Sequence, residues 1–264
     1  VFLGSGGVTT NGGDITITGT GGATGVWLYE GDLISNGGDI SVTGEGFHYG
    51  VQVWDNLVSS GSGAITIPGT ATGDDSTGLN VRDAAIAATS GNITLSGDAE
   101  SGMGVFFGGD AYGPGSSITT TSGAISVIST GLSGLNVVDV PFTTDTGNIT
   151  LQGTALDDDF GIYLGATGLS TNGGDITLIG YGTSYTGVFV YGRDLASNGG
   201  DITIIGGSTS LAGVQISGSD IDSAGGNISI YGEGAATGLI VSAAGISSGA
   251  GEISLRGSGG GVGG

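Results

Sequence analysis

Acids dominate the titratable residues of this sequence, and many return at one repeated position. The residue before a recurring isoleucine runs Asp14, Asp39, Ala64, Asn92, Ala124, Asn148, Asp175, Asp201, Asn227 and Glu252. Carboxylates stacked at such a position could hold a hard cation such as calcium through their oxygens. Asx side chains also cap tight corners by bonding nearby backbone, and the two Ala and three Asn in the column favour that role. Two denser clusters, Asp157-Asp158-Asp159 and Asp74-Asp75, are further calcium candidates. Neither a helix-loop-helix calcium loop nor a glycine-aspartate nonapeptide run accompanies them, so solvated loops are the favoured account.

Aromatic residues form the second candidate group. Phe2, Trp27, Phe106, Tyr163 and Phe189 share one repeat position with Gln52, Asn80, Asn136, Gln215 and Ile240, and Tyr29, Trp54 and Tyr191 stand two residues further along. Rings exposed on a regular face can stack on sugars or pack against a neighbouring surface. Trp27, Tyr29, Trp54, Phe106, Tyr163, Phe189 and Tyr191 are therefore the candidate partner or glycan contacts, the first three being the densest patch. Shielding of the strand beneath is the competing account. A threonine array of the ice-binding kind starts at Thr16, Thr18, Ser41 and Thr43, but its second column decays to Pro68, Ser96, Ile128, Gln152 and Ile179. Catalysis finds little support. The one histidine, His48, lies in the loop "EGFHY" with no nucleophile elbow, and Arg82 and Arg193, each before an Asp at what reads as the same coil position, look like repeat inheritance. The chain is not expected to be an enzyme, nor to need a cofactor beyond the calcium already considered.

Composition narrows the partners. Of 264 residues 62 are Gly, none is Cys or Lys, and 24 acids face only Arg82, Arg193 and Arg256, for a net charge of −21. Nucleic acid and anionic membranes need cations to replace their counterions, so both are excluded as partners. No apolar run reaches the ~20 residues of a membrane span. Absent cysteine removes disulfides and thiol chemistry. Glycine this abundant without a three-residue period, among alternating Thr, Ser, Ile and Val, reads as short strands joined by tight turns.

The elements that position these residues repeat. "TNGGDITLIG" from Thr171 returns as "SNGGDITIIG" from Ser197, with relatives at Thr10 and Ser35. Anchored on isoleucine, the repeats stand at Ile15, Ile40, Ile65, Ile93, Ile125, Ile149, Ile176, Ile202, Ile228 and Ile253, at spacings of 24–32 residues. A second apolar residue follows two positions on, always across a Thr or Ser, which is the period-two signature of a half-buried strand. A second strand begins at a glycine, as in "GVWLY" from Gly25, and a third is led by residues such as Leu33 and Val58. The third strand leads the next anchor by seven residues in all ten coils, and the second leads the third by seven in all but one. That exception is the 32-residue coil, extended around Gly108–Ser117. The remaining variation falls between the first and second strands. Two corners of fixed length and one free corner are what a three-sided solenoid in axial register requires.

The fold expected is an all-β, right-handed parallel β-solenoid of about ten coils, one domain over residues 1–264, about 48 Å long at ~4.8 Å per coil. Asn and Gly of Asn-Gly-Gly-Asp should supply positive φ at the corner before the first strand. Small residues, namely Ser35, Ser60, Ala88, Thr120, Thr144, Thr171, Ser197, Ser223 and Ser248, should close the third corner. The chain opens within a second strand and ends in "GSGGGVGG" without a readable cap, so it is expected to be part of a longer chain or a subunit that stacks end to end.

The units "NGGDITITG", "SGNITLSG" from Ser90 and "TGNITLQG" from Thr146 resemble the β-helical repeats of filamentous-haemagglutinin-like and autotransporter-type bacterial exoproteins. The resemblance implies an extracellular or cell-surface shaft, often of an adhesin. Function is then expected to be structural, a rigid rod assembling with itself or presenting loops for adhesion. The alternative is a carbohydrate-binding module using the aromatic face on surface glycans.

Overall fold

The computed structural model describes residues 1–109, 115–157 and 159–260. Every regular element among them is a strand. All pairings between named strands are parallel, and the anchor isoleucines stack directly on one another: Ile15 on Ile40, Ile40 on Ile65, and so on to Ile228 on Ile253. First and second strands together form an 18-stranded sheet, while the third strands form a separate 10-stranded sheet. Two sides share one sheet because in two coils, Ile65–Arg82 and Ile93–Gly108, one long strand runs from the first side to the second, with register shifts at Ala99–Ser101 and Ser101–Met103. The result is a parallel β-solenoid of ten coils.

Inside lie the apolar columns. Ile65, Ile93, Ile125, Ile149, Ile176 and Ile202 are fully buried, as are the partners two residues on, from Val42 to Ile230. Each such side chain contributes about 1.5–3 kcal/mol relative to exposure. Two phenylalanines enter this aliphatic core, Phe107 and Phe142, packed edge to face with centroids 5.4 Å apart.

The fixed corners follow the expectation in part: at the bends from Asn11 and Asn172 only the glycine takes positive φ, Gly12 at 93° and Gly173 at 113°, while at two others both residues do. At the Asn-Gly-Gly-Asp bend Asn36 has φ 53° and Gly37 129°, and Asn198 has φ 48° and Gly199 120°. Asn36 Nδ2 donates to the Thr10 carbonyl of the previous coil at 2.8 Å, and Asn198 Nδ2 to Thr171 likewise. The small third-corner residues are buried. Their hydroxyls clip the bend: Ser35, Ser60, Ser197, Ser223 and Ser248 each donate at 2.5 Å to the carbonyl three residues on.

One feature was not anticipated. The first strands run to seven residues, as in Ile149–Ala155, well past the two apolar positions that mark them in the sequence, because the chain continues straight through a glycine into an outward arm. That glycine recurs at Gly19, Gly44, Gly69, Gly97, Gly153, Gly180, Gly206, Gly232 and Gly257, and it faces the glycine that opens the second strand. A Cβ on Gly153 would sit 2.0 Å from the Gly161 carbonyl oxygen, and one on Gly97 1.9 Å from that of Gly104. The arm therefore leaves and rejoins the coil with backbone against backbone. Further out, small residues such as Ala71, Ala99 and Ala155 remain buried, so the arms stack into a thin fin along the rod. Ser129 breaks the glycine column in the coil with the shortest arm, and its Oγ donates to the Gly134 carbonyl at 2.8 Å.

Candidate binding face

The acidic column turns its chemistry toward its own rod. Asp14 Oδ1 accepts from the backbone N–H of Asp39 at 2.9 Å, Asp39 Oδ1 from Ala64 at 2.8 Å, Asp175 from Asp201 at 2.8 Å and Asp201 from Asn227 at 2.7 Å. The asparagines do the same, Asn92 to Ala124, Asn148 to Asp175 and Asn227 to Glu252, each at 2.9 Å. The capping expected within one corner is thus delivered to the equivalent corner one coil ahead. A shorter parallel ladder precedes the third strands, where Asp32, Asp194 and Asp220 accept from Leu57, Asp220 and Gly245.

The denser clusters lie on the arms. Asp159 Oδ1 accepts from the Phe160 N–H at 2.8 Å, and the Asp157 carbonyl accepts from Thr183 Oγ1 at 2.6 Å. Asp158 lies outside the described residues. Asp75 sits at an arm turn with φ 51°. Among the described residues no three His, Asp or Glu gather closely enough to hold a metal ion. His48, also on an arm, stacks edge-on against Phe47 at 4.8 Å. The two arginines are not equivalent, contrary to the sequence reading. Arg82 is in register with Trp54, whereas Arg193 follows the corner residue Gly192 and reaches Asp139 at 3.6 Å in an exposed ion pair.

The aromatic column is real and in register. Phe2 pairs with Trp27, Trp27 with Gln52, Gln52 with Asn80, Asn80 with Phe106, Phe106 with Asn136, Asn136 with Tyr163 and Tyr163 with Phe189. It resolves into two platforms. In the first, Phe2 meets Trp27 at 5.0 Å, Trp27 meets Tyr29 at 5.8 Å and Tyr29 meets Trp54 at 5.9 Å, a continuous chain of tilted and edge-on rings. In the second, Phe160 lies 5.4 Å from both Tyr163 and Phe189 and 5.3 Å from Tyr185, and Phe189 continues to Tyr191 at 6.1 Å. Phe160 and Tyr185 were missed from sequence. They sit on the returning limb of the arm, just before the glycine that opens the second strand, and that adjacency was the available signal.

Between the platforms the face is mixed, with Gln52, Asn80 and Asn136 interrupted by Phe106. Arg82 donates through Nε to Asn80 Oδ1 at 3.2 Å and lies over the Phe106 ring at 4.9 Å from its centroid. Phe106 and Tyr163 fold back over glycine: a Cβ on Gly108 or Gly165 would stand 2.6 Å from the ring. Two polar atoms of the column, Trp27 Nε1 and Asn136 Oδ1, are buried without a hydrogen-bond partner. The Glu30 carboxylate accepts from the Tyr29 hydroxyl and, by that bond first and its charge second, raises the phenol above its ordinary value; Glu233 raises Tyr231 chiefly through its charge.

Fold and surface together define a parallel β-solenoid whose second side carries an aromatic and amide stripe. No family model, curated protein or solved structure matches the chain.

Proposed function

We infer that the chain is a rod-forming structural segment of an extracellular bacterial fibre or adhesin. What carries the reading is where the polar side chains are spent. The Asx column and the corner hydroxyls, the groups best suited to chemistry, are tied to backbone within the rod, many of them from one coil to the next. Such an arrangement adds axial bonds to an uninterrupted backbone ladder and stiffens the stack. The resemblance of "NGGDITITG" and its kin to exoprotein repeats supports the extracellular setting and self-association end to end or side by side. Immunogold labelling of source cells, with electron microscopy of the purified chain, tests this: label on outward fibres supports it, and label confined to the cytoplasm overturns it.

A second reading, carbohydrate binding, is favoured by the paired aromatic platforms. Rings clustered on a face already wet on one side have a role in stacking that a bare shaft does not require. A glycan array probed with the intact protein and with Trp54→Ala is the test. Retention lost in the variant supports binding, and an empty array removes it.

A further inference from the structure

We propose that the second side binds an extended, uncharged hexopyranose chain lying parallel to the rod axis, its ends stacked on the two aromatic platforms and the stretch between held by Arg82 and Gln52. This rests on the carbohydrate reading and adds its geometry and substrate class.

The argument begins with pitch. Outward positions on this side repeat once per coil, at about 4.8 Å, and a pyranose in an extended chain advances by nearly the same distance, so successive rings meet equivalent positions. Trp27 and Tyr163 stand five coils apart in the register Trp27–Gln52–Asn80–Phe106–Asn136–Tyr163. That separation is about 24 Å, which roughly six rings bridge.

Chemistry alternates to suit such a ligand. The platforms offer apolar ring faces, as the C–H faces of sugars require. The intervening stretch offers polar groups. Arg82 is held by Asn80 and Phe106 with guanidinium donors to spare, and the half-buried Gln52 carries both amide functions. A row of sugar hydroxyls supplies both the donors and the acceptors that these groups lack.

Charge selects the class. At a net −21 the protein repels uronates and sulfated chains, and Glu30 and Asp55 flank the first platform. An uncharged chain pays no such penalty, and rigid stacking at two separated points raises affinity through effective concentration.

Isothermal titration of the intact protein with cello-, manno- and N-acetylated chito-oligosaccharides of two to eight rings tests this. For at least one series, affinity should rise by about tenfold or more between two rings and six, then level off. Tyr163→Ala, an outward substitution checked by circular dichroism, should return the six-ring ligand to two-ring affinity. Oligogalacturonates of equal length should not bind. Binding that does not depend on length would overturn the axial alignment while leaving the carbohydrate reading intact. Preference for oligogalacturonate would overturn the uncharged class. No binding by any oligosaccharide would remove both the alignment and the reading beneath it.

Discussion

Replacing Gly180 by alanine isolates the pinch at the base of the fin. The added Cβ would lie 2.2 Å from the Gly187 carbonyl oxygen and 2.7 Å from Val188 Cγ2. The backbone φ at Gly180 is not left-handed, so the cost is steric rather than conformational. Ordinary contact would require the facing backbone to retreat by about 1 Å, an overpacking cost of about 1–3 kcal/mol. The same carbonyl accepts the Ile162 N–H of the previous coil at 2.8 Å. Weakening that bond adds about 0.5–1.5 kcal/mol. Lower entropy of the unfolded chain returns about 0.4–1 kcal/mol, leaving a net loss centred at about 2 kcal/mol. Gly168→Ala is the control, because the nearest atom to its Cβ is the Asp194 carbonyl oxygen at 3.8 Å and its φ is also ordinary. It should be neutral or stabilising by up to about 1 kcal/mol. Urea titrations followed by circular dichroism compare the two, with hydrogen exchange to detect local loss of the coil, since repeat arrays do not always melt as one unit. If Gly180→Ala is no less stable than Gly168→Ala, the backbone-to-backbone pinch is refuted.

Other expectations follow from the same geometry. Ile149→Ala empties a fully buried position between Ile125 and Ile176 and should cost about 2–5 kcal/mol in the same titration; a loss below about 1 kcal/mol would deny the continuous core. Glu30→Gln removes the carboxylate that keeps Tyr29 protonated, so tyrosinate absorbance for one residue should move to lower pH; superimposable titrations would contradict that contact. Calcium and chelator should leave the melting temperature unchanged, because Asx oxygens in the column already serve backbone donors one coil ahead; a rise of several degrees with calcium would reveal a site.

The coil count, the parallel stacking and the buried columns were legible because slipping Ile125 or Ile176 by one residue would turn every apolar side chain outward. The Asn36-Gly37 and Asn198-Gly199 bends were legible for a related reason, since few residues tolerate positive φ. The aromatic column was readable from its fixed distance to Gly25, Gly50 and their equivalents. Phe160 and Tyr185 were harder to read, because the arms differ in length and the two rings stand at unequal distances, one and two residues, before Gly161 and Gly187. The direction of the Asx bonds was also hidden: spacing places Asp175 above Asn148 but does not say which side chain reaches which amide. The glycine column from Gly19 to Gly257 is visible in the sequence, but glycine marks turns and close backbone approach alike, and only the facing carbonyls distinguish the two. Arg82 and Arg193 share an Arg-Asp dipeptide but not a position, Arg82 standing four residues before Ile86 and Arg193 two before Leu195.

The central claim, a stiff rod of coils in unbroken register, is tested most directly by a spin-label distance. The chain has no cysteine, so Ser41→Cys and Ser229→Cys place one pair of labels on the same outward column of the first strands, linked by consecutive in-register pairs through Thr66, Thr94, Ser126, Thr150, Thr177 and Thr203. Seven coil steps predict a narrow distribution centred at about 34 Å. A broad distribution, or one centred well away from that distance, would contradict the rod.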